Sequence, residues 1–556
     1  MYDKISTPSP SRIDRAMHLA DSAVFEYENK GIDTRSDLVE HSDRVVGQVE
    51  AFAGSLLPPL AKKVATKLHD VIDRFWNNDS HKHTPERALA AKECVLRAIN
   101  DMGLSEEEEI YLLAQLNDLI GVENASGAHR RATASRARTG SVSNGLPREI
   151  VEIISDSYKG HIPSKAWMTT EPYLDFDHMH DMLNSTNIEA FVIKACELVD
   201  NMQHPSSLRE SALLQDVLEA ESFYAPILEV LGFDGLASVL RSLSHMVRLK
   251  KHEEAKARER LLDASLIDDS KGDRPDGIRC IEQAKQMVDR IEQIGVENIA
   301  KHIFGDNRSL IQPAVGEGAD GNIPVHIGDL LVDWEGNKID FGHYRLKTVG
   351  SLANKLYQKK GVLPMDIMGM TVVSEDVSES AQAFAMFIKD RLDNEQSGLR
   401  AKKADSKDQP FYVQGSEEYV AAVLDKLRSM GVDETRIQAE PEAQEVAETR
   451  GHNTLQVSKI TFMALVDGIE VPTEVQFVTK SERERMRTGD IAHIIYKYIK
   501  QLGDDISPDE RKSIISSAVK VIKAMHARKQ HLNPDSLEIN ERSLKGACEM
   551  LYALSA

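Results

Sequence analysis

The stretch that decides the fold is Val457–Thr479, VSKITFMALVDGIEVPTEVQFVT. Ile460, Phe462, Ala464 and Val466 recur at every second position, the spacing of a strand with one buried face. Asp467-Gly468 is a two-residue turn signal, and Ile469, Val471, Val475 and Phe477 carry the return strand. Glu474 and Gln476 lie two apart, so they project from one face while Val475 and Phe477 point to the other.

Working outward, β-like runs precede this hairpin at Val325-His326-Ile327, Leu330-Leu331-Val332 and Met370-Thr371-Val372-Val373. Residues 401–450 are charged and irregular and read as containing a surface insertion. The first half is different. Val45-Val49-Phe52, Leu68-Ile72-Phe75 and Cys94-Val95-Ile99-Met102 follow helical spacing, which resumes from Pro147 to about Arg260. Residues 126–145, with Arg130, Arg131, Arg136 and Arg138, read as a loop, and residues 263–276 as a linker. A helix around Ile281–Ile299 and a Gly- and Asp-rich stretch to Pro324 follow. From Ser507 the chain reads as helical, with Pro508-Asp509-Glu510 as a helix start. The expected class is α+β: an all-helical domain over 1–260, a linker and connecting helix over 261–324, a mixed-sheet domain over 325–505 and C-terminal helices over 506–556.

Composition narrows the function classes. The chain has 556 residues, 41% hydrophobic and 28% charged, which is globular. Its formal net charge of -21 argues against general nucleic-acid binding, so an anionic substrate would need a local positive potential. Four scattered cysteines without a CxxC pair argue against a disulfide framework or zinc site. With no signal-like start and no bilayer-length apolar window, a cytoplasmic location and no membrane partner are expected.

The chemistry concentrates between residues 345 and 497. Lys347, Ser351, Lys355 and Lys359 are spaced by four, so on a helix they form one polar stripe, with Arg345 at its entry. Val349, Leu352 and Leu356 fall on another face. Such a stripe lays donors along a polyphosphate, although any lysine-rich face can also be plain solvated surface. Asp366 opens the β segment that runs to Val373, and Glu474 lies on the returning hairpin strand. Two carboxylates from neighbouring strands suit Mg²⁺, which takes a few carboxylates plus substrate phosphates, although by spacing alone two ordinary surface acids are the commoner case.

These motifs, in order, are Arg345-x-Lys347-x-x-x-Ser351-x-x-x-Lys355, Asp366-Ile-x-Gly369, Glu474-Val-Gln476 and Gly489-Asp-Ile-Ala492-His493-x-x-Tyr496-Lys497. The set resembles the synthetase domain of the RelA/SpoT homologue family, over about residues 325–500. The resemblance implies a nucleotidyltransferase-like mixed sheet. It also implies pyrophosphate transfer from ATP to the 3′-hydroxyl of GDP or GTP, making guanosine tetra- and pentaphosphate. By the same resemblance Arg345, Lys347, Ser351 and Lys355 would bind ATP. Asp366 and Glu474 would be the catalytic, Mg²⁺-binding pair, with Glu474 also activating the hydroxyl. His452, Asn453, Gln476 and His493 would meet the acceptor. The implied partners are ATP and a guanine nucleotide; self-association into a homo-oligomer is left open.

The pattern also departs from the family. Thr371 and Val478 stand where arginine is usual. The family's Gly-Tyr-Gln-Ser-Leu-His segment is matched by Gly451-His452-Asn453-Thr454-Leu455-Gln456, after an acidic run Glu440–Glu445 in place of a basic one. The acceptor side is therefore the altered side. Two other readings stand beside the transferase: a catalytically silent nucleotide sensor or scaffold, and a transferase with another acceptor such as an adenine nucleotide or tRNA.

The helical half resembles the family's HD hydrolase domain at Ala114–Ile120, Val192–Met202 and Phe223–Phe233. The metal ligands of that domain are not kept: they fall on Ala91, Asn117, Gly121-Val122 and Glu197. This half is expected to be a pseudo-hydrolase. The dipeptides His69-Asp70, with His41 upstream, and His180-Asp181, near His178, read as helix-surface polarity rather than ligand sets.

Overall fold

A computed structural model describes residues 10–29, 38–53, 63–68, 85–119 (107 excepted), 164–169, 188–262, 276–305, 308–316, 325–334, 338–401, 411–442, 454–492 and 507–530, with isolated positions such as Val71, Ile162, Ile494 and Ile495. The helices run in order α1 Pro10–Asn29, α2 Leu38–Ala53, α3 Pro85–Met102, α4 Ser164–Thr169, α5 Ile188–Gln203, α6 Glu210–Glu219, α7 Ala225–Val230 and α8 Asp234–Leu262. Next come α9 Gly277–Ile294, α10 Val296–Phe304, α11 Val349–Gln358, α12 Val377–Met386, α13 Glu417–Ser429, α14 Lys480–Thr488 and α15 Pro508–Gln530. None of the described helices is long and apolar enough to cross a membrane.

The protein is a mixture of helix and mixed sheet. Among the described residues nine strands form one sheet: β1 Arg308–Gly316, β2 Val325–Trp334, β3 Lys338–Leu346, β4 Met368–Ser374, β5 Leu399–Ala401, β6 Phe411–Ser416, β7 Ile437–Glu442, β8 Val457–Val466 and β9 Ile469–Thr479. The order is β1-β2-β3-β4-β9-β8-β6-β7, with β5 also on β8. Pairings are antiparallel except β4–β9 and β6–β7. The β8–β9 hairpin turns on Asp467 (φ 49°) and Gly468 (φ 79°). Positive φ at both turn positions matches the twist of the strands they join.

The sheet takes in more than the strands read from the sequence, Lys338–Leu346 and Leu399–Ala401 among them. Arg308–Gly316, read as part of a Gly- and Asp-rich connection, is the edge strand β1. Residues 411–442, read as lying within a charged irregular region with an insertion, form β6, α13 and β7, a parallel unit that extends the other end of the sheet.

The apolar residues gather in two main cores. One joins the N-terminal helices and also takes Ile515, Ala518, Ile522 and Met525 of α15, so the C-terminal helix returns to the first half. The other joins α9, α10, α11, α12, α13 and one face of the sheet. Val475 and Phe477 are fully buried in it, while Glu474 and Gln476 are half-buried on the opposite face. Burying each such large side chain stabilises the fold by about 2 kcal/mol. Asp276 begins α9 by accepting from the backbone N–H of Ile278 and Arg279.

Helix α8 belongs to both halves: Leu236, Leu240 and Leu243 enter the first core, Leu249 the second. It meets α11 at Gly350, whose N–H donates to Ser242 Oγ at 3.0 Å. A Cβ at Gly350 would stand 1.9 Å from the Ser242 carbonyl oxygen, so only glycine fits this crossing. Further along, Tyr357 Oη lies 3.0 Å from His252 Nε2, and His252 Nδ1 lies 2.8 Å from the Ser164 carbonyl.

Candidate active site

The sheet's second face carries the polar residues, and strand register sets them in rows. Arg345 pairs with Gly369 and Gly369 with Glu474, which places a cation and a carboxylate across a position with no side chain. In the next row His343 pairs with Thr371, Thr371 with Gln476, Gln476 with Lys459 and Lys459 with Tyr412. Lys459 Nζ stands over the Tyr412 ring, 4.6 Å from its centre. A third row is apolar: Val373, Val457 and Val478, closed by Met486 of α14.

Asp366 lies just ahead of β4, beyond the Arg345–Glu474 row. Lys347 Nζ donates to its carboxylate and its carbonyl, both at 2.7 Å, and Lys355 Nζ donates to the same carboxylate oxygen at 2.7 Å. Burial opposes the charge on Asp366, but the two ammonium groups outweigh it and hold the carboxyl well below the usual range. Burial pushes Lys347 down to about 8, against the attraction of Asp366 and with Arg345 adding repulsion.

The polar stripe is shorter than its spacing implied. Lys347 precedes α11 and is still part of the sheet edge, its N–H donating to the Ile367 carbonyl at 2.9 Å. Thr348 is the N-cap, and Lys359 is already past the last helical residue. Ser351 is half-buried and meets Thr348, 3.1 Å between hydroxyls. Lys347 and Lys355 therefore converge because a strand end and a helix face both look onto Asp366, not because they share a helix.

Gln476 Nε2 donates to Glu474 Oε1 at 2.8 Å and so orients that carboxylate. His452, Asn453 and His493 lie outside the described residues. The end of the segment that carries His452 and Asn453 is anchored: Gln456 N–H donates to Glu482 Oε1 at 2.7 Å. Arg485 clamps Glu482 at 2.8 Å and grips both oxygens of Asp490 at 2.9 and 3.0 Å.

Sequence reasoning passed over a second set of cations. Arg483 and Arg487 of α14 are four apart and share a helix face with Met486, the residue seated on the sheet. Arg483 Nε is buried without a hydrogen-bond partner among the described residues. His343 lies 2.5 Å from Asp329, and burial together with Arg483 and Arg487 lowers its pKa. The readable signal was the i, i+4 arginine spacing directly after the hairpin.

The helical half shows how the pseudo-hydrolase positions are filled. Ala91 is buried in α3, and Glu197 is buried in an ion pair with Lys194, one turn away on α5. Asn117 is half-buried on the helix of residues 108–119. His41, read with the surface dipeptides, is instead fully buried, its Nδ1 2.6 Å from Asp200 Oδ2. Arg44 grips Asp200 at 2.6 and 3.1 Å. His69, Asp70, His178, His180 and Asp181 lie outside the described residues. Among the described residues no three His, Cys, Asp or Glu side chains gather as a ligand set.

No family model matches the chain, and no curated protein matches it.

Proposed function

We propose that the chain is a RelA/SpoT-like pyrophosphotransferase that moves pyrophosphate from ATP to the 3′-hydroxyl of a guanine nucleotide, GDP or GTP. The observation that carries this reading is the Asp366 carboxylate held between Lys347 and Lys355, beside the row Arg345–Gly369–Glu474. The donor set fits Mg²⁺: Asp366 and Glu474 offer carboxylate oxygens and the substrate phosphates would complete the shell. When bound, that ion supplies neutralisation of charge on the transferring group. Arg345, Lys347 and Lys355 then bind the ATP phosphates, since ammonium groups released from Asp366 find replacement anions there. Glu474, steadied by Gln476, takes the proton of the acceptor hydroxyl. The 3′ oxygen bonds to the β-phosphorus of ATP, the bond from that phosphorus to the bridging oxygen breaks, and AMP leaves with the oxygen.

The test is transfer of γ-label from ATP in Mg²⁺, with GDP, GTP, ADP and tRNA as acceptors. Wild-type protein is expected to label GDP or GTP, and Asp366→Asn and Glu474→Gln to lose the reaction. Label appearing only on ADP or tRNA would replace the acceptor assignment. ATP binding without transfer to any of the four would leave a nucleotide sensor or scaffold.

A further inference from the structure

We propose that Arg483 and Arg487, with His343, form a separate anion subsite that holds the 5′-diphosphate of the acceptor nucleotide. The inference rests on the transferase reading above and adds where the acceptor lies and which way it points. Glu474 sits between two cationic poles. The first is Lys347 and Lys355 on Asp366, at the end of the sheet where β4 and β9 begin to pair. The second lies beyond Gln476, where α14 crosses the sheet with Met486 on Val373, Val457 and Val478. Val478 lies four positions beyond Glu474, about 13 Å along an extended strand.

That separation matches the acceptor's chemistry. Its 3′-hydroxyl must reach Glu474, and its 5′-phosphates must then lie on the far side of the ribose. The open rows carrying Glu474 and Gln476 provide the space for the sugar, because Gly369 has no side chain and Thr371 is small. Arginines bring forked donors to phosphate. Arg483 suits this role because its Nε is buried with no hydrogen-bond partner among the described residues. It is crowded electrostatically by Arg487 and Arg345, with Asp234 and Asp329 opposing. Like charges gathered over a half-covered sheet face are costly in the empty protein, and a bound polyanion relieves that cost. The ATP phosphates are already matched by the lysines at the other pole, so the arginines fall to the second nucleotide.

The experiment is calorimetric titration of the full chain, in Mg²⁺ and a saturating non-hydrolysable ATP analogue, with GDP, ADP, guanosine and adenosine. The proteins are wild type, Arg487→Gln and Arg483→Gln. For the diphosphate that wild type binds, each variant is expected to weaken binding by at least about tenfold. The matching nucleoside is expected to bind all three proteins equally, and the ATP analogue to keep its affinity within about twofold. Unchanged diphosphate affinity in Arg487→Gln, a loss confined to the ATP analogue, or no diphosphate binding by wild type would each overturn the subsite. Because binding is measured, the outcome is independent of turnover. Failed transfer with arginine-dependent diphosphate binding would sink the transferase reading alone. Normal transfer with unchanged acceptor KM in both variants would sink the subsite alone.

Discussion

Each half of the protein holds one aspartate between two basic side chains, and the two arrangements work differently. In the helical half Asp200 is 1% exposed, fixed by His41 and by the forked guanidinium of Arg44. In the sheet half the Asp366 side chain is 32% exposed, and its partners are two single-point lysines. A sealed carboxylate with rigid partners has nowhere to go, and removing it strands buried charge. A half-open carboxylate held by flexible ammonium groups can exchange them for a metal and for phosphate. The same pairing of charges is thus a strut in one place and a replaceable cover in the other.

Four experiments would break or sharpen that contrast, taken from the largest expected effect. Asp366→Asn should lower turnover by about a thousandfold while costing less than about 1 kcal/mol of stability. Transfer assays and chemical denaturation measure the two quantities, and a large stability loss would erase the distinction. Asp200→Asn should do the reverse, destabilising by about 3 kcal/mol. Asp200 has its pKa lowered: burial raises it, but His41 and Arg44 prevail. The folded carboxyl thus titrates below the unfolded one. Its stabilisation is present above the unfolded Asp value of about 3.9 and is lost as pH falls through the lower folded value. Melting curves from neutral pH down to pH 3 should accordingly fall less steeply in Asp200→Asn than in wild type.

Gly350→Ala should cost about 2 kcal/mol, because the added carbon meets a backbone carbonyl that can move only with α8. Hydrogen exchange should then rise in both α8 and α11; a rise limited to α11 would mean that the helices are not coupled. The smallest effect belongs to Gln476→Leu, which leaves Glu474 without its orienting donor. We expect about a tenfold loss in kcat with ATP affinity kept. Equal losses in both would place Gln476 in substrate binding instead.

What the sequence disclosed follows from where each element sits. The β8–β9 hairpin lies inside the sheet, so its buried face had to be strictly alternating and its turn chemically explicit. Among the strands that the sequence reading passed over, β1 and β7 lie at the ends of the strand order, and each contains a proline, Pro313 and Pro441. Proline and charge are what edges tolerate, so these segments looked like connections. In the candidate site, Asp366, Lys347 and Lys355 were readable because their motif spacing is local. That Lys347 acts from a strand end was not, since spacing by four looks the same whether or not the helix has begun. Arg483 and Arg487 were hidden for another reason: only the register of three strands shows which face α14 covers.

The crossing of Gly350 and Ser242 has a consequence for how the chain can be divided. The helix bearing Ser351 and Lys355 donates its Gly350 N–H to Ser242 of α8, a helix most of whose apolar face serves the other half. A fragment starting at Gly277 would keep every strand yet leave the Gly350 amide without its acceptor and Leu249 missing from the core. One starting at Asp234 would keep both. The sheet half is thus not a self-sufficient module. Recombination, truncation or domain transplantation that separates it from α8 should yield a sheet with a loosened α11.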